Sequence, residues 1–142
     1  MPRLLDGVEV FVCDLIAVAE IGAQRGARFV SFASMLICSN DGFTGLDRVK
    51  LPEQVGGVVE VYANAYDAGT ELNSEDFADI VPPCQGLIGV GSDDPGTGMS
   101  DPALAEGGVI AAHPGVAGGN DLLPGVHGWS DPVAMVVIER ID

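Results

Sequence analysis

Phe29–Ile37 reads FVSFASMLI and Val133–Ile141 reads VAMVVIERI. The first is rich in aromatic and apolar residues, the second is β-branched, and both adjoin turn residues, which is the pattern of a strand. The first follows Gly26 and stops at Ser39-Asn40-Asp41-Gly42, where Asp-Gly predicts a tight turn with positive φ. The second starts just after Asp131-Pro132 and becomes solvated at Glu139 and Arg140. Both are expected to be core strands, with Phe32, Met35, Val136 and Ile138 among the buried residues. Working outward, Val58–Tyr62 alternates around Glu60 and predicts a half-buried strand. Val8–Val12 and Val109–Ala112 carry weaker strand patterns, and Leu15–Ala19 fits either a strand or a helix. Short strands joined by turns point to an all-β antiparallel β-sandwich. The alternative is a small α+β domain with one helix near residues 14–24.

The chain has 142 residues, enough for a single domain spanning 1–142 with its own core. Twenty-one acidic residues against six basic ones give a net charge of −15, and Lys50 is the only lysine. So negative a surface repels phosphate backbones and anionic lipid heads, which argues against nucleic acid and membrane surfaces as partners and favours cations. Hydrophobic residues make up 47% of the chain, which separates it from acidic disordered tails. Glycine (20) and proline (9) are abundant, as a turn-rich β fold requires. They dominate a long loop region over 82–132, a length that in compact domains is usually functional. Asp6, Glu9, Asp14 and Glu20 interrupt the apolar N-terminus, so it is neither a good signal peptide nor a membrane span. Cys13, Cys38 and Cys84 form no CxxC pair. At most one disulfide can form within the chain; a Cys38–Cys84 bridge and three free thiols are both open.

Common catalytic motifs fail. Gly89-Val90-Gly91-Ser92-Asp93-Asp94 puts aspartate where a dinucleotide loop has its third glycine, and no GK[ST] exists. Gly128-Trp129-Ser130-Asp131-Pro132 ends in proline where a nucleophile elbow needs glycine. His113 and His127 read as surface or turn residues. Gly118-Gly119-Asn120-Asp121-Leu122 resembles half a calcium β-roll repeat, but a single copy cannot stack and reads as a plain turn. Loop carboxylates remain as hard-cation ligands. Asp41 ends one strand and Asp67 lies just past another, so both reach one ion if those ends share a pole.

The blocks Val30-Ser31-Phe32, Ser39-Asn40-Asp41-Gly42-Phe43, Tyr66-Asp67-Ala68-Gly69-Thr70-Glu71 and Val133–Arg140, in that order, resemble the spondin domain found in the F-spondin and mindin type of matrix protein and in bacterial secreted proteins. The resemblance covers about residues 20–141, leaving 1–19 poorly matched. It implies an eight-stranded, C2-like antiparallel sandwich with Ca2+ held by loops at one end. The metal ligands it implies are Asp41, Asp67 and, less directly, Glu20. It further implies a secreted or cell-surface protein that binds or adheres to an extracellular protein or glycan partner, with no enzymatic role. The chain departs from the family in having Gly42 where the family turn has tryptophan, and in lacking clear counterparts of the first strands, as a divergent or truncated start would. Two other functions compete. One is a carbohydrate hydrolase using two carboxylates among Asp41, Asp67, Glu71, Asp93 and Asp94, for which the single tryptophan, Trp129, is a thin sugar platform. The other is a structural subunit that assembles through the long loop or an exposed edge strand.

Overall fold

The computed structural model describes residues 5–12, 15–24, 26–82, 84 and 101–141, with side chains from residue 19 onward. Its strands are β1 (Leu5–Val12), β2 (Leu15–Gly22), β3 (Phe29–Met35), β4 (Gly42–Lys50), β5 (Val58–Ala63), β6 (Ala65–Asp67), β7 (Ala111–Ala112) and β8 (Ala134–Arg140). Helical structure among the described residues is slight: 3-10 turns at Phe77–Asp79 and Pro102–Leu104, and one short helix, α1 (Pro124–His127). The fold is therefore all-β. One sheet has the order β2-β1-β8-β5 and the other β3-β4-β6-β7, and the registered pairings are antiparallel. The segment that fitted either strand or helix is strand β2, which removes the α+β alternative. Cys13, Asp14 and the motif residues from Gly89 to Asp94 lie outside the described residues.

The chain divides into two compact units. The first comprises Met1–Ala33, Gly45–Asn64 and Asp131–Asp142 and is organised by β8. Along β8, Ala134, Val136 and Ile138 are buried, while Glu139 is exposed. Their register partners are Val12, Val10 and Val8 on β1, and Ala63, Val61 and Val59 on β5. Every position of that row is apolar, as a period-two strand pattern requires on its covered face. The expected central strand Val133–Ile141 is thus observed, with Val136 and Ile138 buried.

The other expected core strand is corrected. β3 occurs, but it stands at the end of its sheet; its residues alternate between exposed and half-buried from Phe29 to Ala33, and Ser34 and Met35 are exposed as well. Phe32 is half-buried and Met35 is 40% exposed. A strand paired on one side only has fewer neighbours to cover it, whatever its composition. β3 lies close against β4: a Cβ at Gly45 would fall 2.5 Å from the carbonyl oxygen of Phe32, so only glycine fits there.

The second unit comprises Ser34–Thr44 and Ala65–Ser130. Its core is a cluster of Phe77, Ile80, Cys84 and Leu122, with Ile37, Cys38, Val81 and Val116 packed against it. Cys38 and Cys84 form a disulfide with their Cα atoms 5.0 Å apart and 46 positions apart in sequence. Of the two thiol states open from sequence, the structure has the bridge.

Candidate functional site

The site grows from the start of β4. Gly42 pairs with Asp67 and Phe43 with Tyr66, so Asp41 and Asp67 are brought to the same end of the β4–β6 ladder. The rings of Phe43 and Tyr66 lie 5.5 Å apart and fix this register from the side. Leu36 N–H donates to the Gly42 carbonyl at 2.9 Å, closing the turn that delivers Asp41. The Ser39 hydroxyl, which is buried, donates to the carbonyl of Leu36.

Gly42 does not take positive φ, contrary to the expected Asp-Gly turn. Glycine is needed there for space. A Cβ would stand 2.6 Å from Ser39 Oγ and 2.9 Å from His113 Cδ2. The same crowding explains why this turn cannot carry tryptophan at that position. Gly69 needs glycine on both counts, with φ +71° and a Cβ position 2.6 Å from Val109 N.

The two aspartates behave differently. Both oxygens of Asp67 are engaged: Oδ1 accepts from Gly69 N–H at 2.7 Å, and Oδ2 accepts from the Asn73 amide at 2.7 Å. Asp41 uses one oxygen for three donors. Its Oδ2 accepts from Thr70 N–H and Thr70 Oγ1, each at 2.7 Å, and from Glu71 N–H at 2.9 Å. Its Oδ1 is buried with no hydrogen-bond partner. Glu71 is 7% exposed, and its Oε1 is also buried without a partner. A buried carboxylate oxygen left bare carries a desolvation cost. Burial alone would raise the Asp41 carboxyl; the Thr70 hydroxyl, the N–H groups of Glu71 and Thr70 and the nearby His113 outweigh it and hold the group below its ordinary value.

Beside this turn Glu75 is gripped by backbone. Its Oε1 accepts from Ala117 N–H, and its Oε2 accepts from Gly118 N–H at 2.7 Å and Gly119 N–H at 2.8 Å. Burial again works to raise this carboxyl, but the three amides and His113 lower it overall. The Gly118–Leu122 stretch is thus a turn, as expected, and a turn that holds a carboxylate in a nest of amides. His113 Nδ1 accepts from Gly115 N–H at 3.0 Å, and its ring lies 4.9 Å from that of Trp129. Asn40, Asn73, Glu75, His113 and Trp129 line a cleft of about 10 Å³, room for on the order of one water molecule.

The surface reading of His127 is corrected. It is buried at the end of α1, its Nδ1 accepting from Leu123 N–H at 2.7 Å and its ring edge-on to Phe77 at 5.7 Å. A histidine that closes a helical turn onto an aromatic core is sheltered by its own function.

The structure brings Asp41 and Asp67 together in the second unit, whereas Glu20 is exposed on β2 of the first unit, at the register position opposite Gly7. From sequence alone Glu71 reads only as one of the carboxylates open to a hydrolase. Its signal was the Gly-Thr-Glu sequence following Asp67, which turns two amides and a hydroxyl back onto Asp41. Among the described residues, no three His, Cys, Asp or Glu side chains are gathered as a metal-holding group, and no helix is long and apolar enough to cross a membrane. No family model, curated protein or solved structure matches the chain.

Proposed function

We propose that this chain is a calcium-stabilised, spondin-like β-sandwich module that works outside the cell by binding or adhesion and not by catalysis. The observation that carries the reading is the pair of buried, unpartnered carboxylate oxygens, Asp41 Oδ1 and Glu71 Oε1. Their residues are joined by the Glu71 N–H to Asp41 Oδ2 bond. A hard divalent cation is the ligand that satisfies such oxygens, with backbone carbonyls or water completing its shell. The sequence supports it too, because no lysine or arginine lies in the Asp41 or Asp67 turns of a chain at −15.

Asp41 and Asp67 are the ligands of this reading, with Glu71 added by its bare oxygen. The bonds that Asp67 already makes leave lone pairs free on both its oxygens. Calorimetric titration with calcium chloride tests it. One ion is expected to bind, and Glu71→Gln and Asp41→Asn are each expected to weaken binding at least about tenfold, the loss of one charged ligand. Glu20→Gln, the third position that the family resemblance implies, is titrated beside them, and weakened binding there would add it to the ligands. No heat of binding in the parent protein would overturn the reading.

A further inference from the structure

β5 is the end strand of the β2-β1-β8-β5 sheet, and its open side has a defined composition. Arg140 N–H donates to Gly57 O at 3.0 Å, and Arg140 O accepts from Gly56 N–H, so the backbone of Arg140 faces β5. Hydrogen-bonding direction alternates along antiparallel strands. With Val59 opposite Ile138 and Val61 opposite Val136, those residues bond to β8, and the N–H and C=O groups of Val58, Glu60 and Tyr62 point to the open edge. Among the described residues no strand pairs with that edge.

The same three residues are exposed on one face, Val58 at 52% and Tyr62 at 62%, with Glu60 between them. Glu139, opposite Val58, is exposed as well. The usual protections of an edge, a lysine, a proline or a very short strand, are missing from Val58–Ala63. A second copy is a poor occupant, since antiparallel self-pairing of β5 brings Glu60 toward its own image on a chain already at −15.

We infer that the open edge of β5 accepts an extended, basic peptide segment as an added strand. Its main chain pairs with Val58, Glu60 and Tyr62, a lysine or arginine lies opposite Glu60, and apolar residues lie opposite Val58 and Tyr62. This does not depend on calcium, so a protein that binds no cation leaves it standing.

The test uses the full chain and a short fluorescent peptide carrying valine-threonine-lysine-threonine-valine, so that the two valines and the lysine share one face, its counterpart with glutamate for lysine, and the lysine peptide N-methylated on those same three residues. The lysine peptide is expected to bind about tenfold or more tighter than the glutamate one, with Glu60→Lys reversing the order. N-methylation is expected to abolish binding, and the amides of Val58, Glu60 and Tyr62 to become protected from hydrogen exchange in the complex. Equal binding of the N-methylated peptide would replace strand addition with mere charge attraction. Failure of the lysine peptide to bind, or a protein that dimerises through β5 instead, would overturn the inference.

Discussion

In the β2-β1-β8-β5 sheet, backbone bonds to backbone along registers that run from Leu5↔Gly22 to Val12↔Leu15 and from Asp6↔Arg140 to Val12↔Ala134. In the unit that holds residues 65–130, carboxylates take over that work. Asp41 gathers Thr70 and Glu71, Glu75 gathers Ala117 to Gly119, and Asp121 accepts from Phe77 N–H at 3.0 Å. A ladder repeats one cheap bond along aliphatic strands, whereas a loop has no ladder and must satisfy each amide by a particular side chain. A chain rich in aspartate and glutamate is suited to the second solution, and in this unit much of its acidity is structural.

The disulfide is expected to matter most. Replacing Cys38 and Cys84 by alanine releases a closed loop of 46 positions and should cost about 3–4 kcal/mol, with the loss of hydrogen-exchange protection concentrated in residues 65–130. Equal loss in both units would show that they do not differ in this way. The counterpart in the sheet is Ile138→Ala, which empties a fully buried site on β8 and should cost about 2–4 kcal/mol in a urea melt. Its exchange effects should centre on β1, β5 and β8.

Glu75→Gln is expected to be milder, about 1.5–3 kcal/mol, because a carboxamide cannot accept from all three amides. The same carboxylates set an acid limit. Glu75 and Asp41 titrate lower in the folded protein than in the unfolded chain. Their contribution is therefore present above the unfolded values, about 4, and is lost as pH falls through the folded ones. Melts at descending pH should show the 65–130 unit loosening before the β8 sheet, and Glu75→Gln should flatten that dependence. A pH profile unchanged by the substitution would break the comparison.

Much of the sheet was legible because its rule is local. Alternation in VVEVY and β-branching in VAMVVIER report strands without any knowledge of their partners. Position within a sheet is not local, so Phe29–Ile37, apolar enough for a core strand, predicts burial that an end strand does not have. The meeting of Asp41 with the Asp67 turn was legible as ordered blocks of sequence. The grip on Glu75 was not, because its amides lie 42 to 44 residues away and belong to small residues with no side-chain signature. His127 misleads for a related reason: its shelter comes from Phe77, fifty positions earlier, and no periodicity connects them.

The measurement that bears most directly on the account is a thermal melt of the protein in millimolar calcium and in chelator. If Asp41 Oδ1 and Glu71 Oε1 are the bare ends of a cation site, calcium should stabilise the fold by about 2.7 kcal/mol at a hundredfold excess over its Kd. That shift should shrink in Glu71→Gln and persist in Glu60→Gln, whose carboxylate lies on the exposed face of β5. The same Tm in calcium and in chelator would contradict the cation site and leave Asp41 and Asp67 as the ordinary acceptors of a turn.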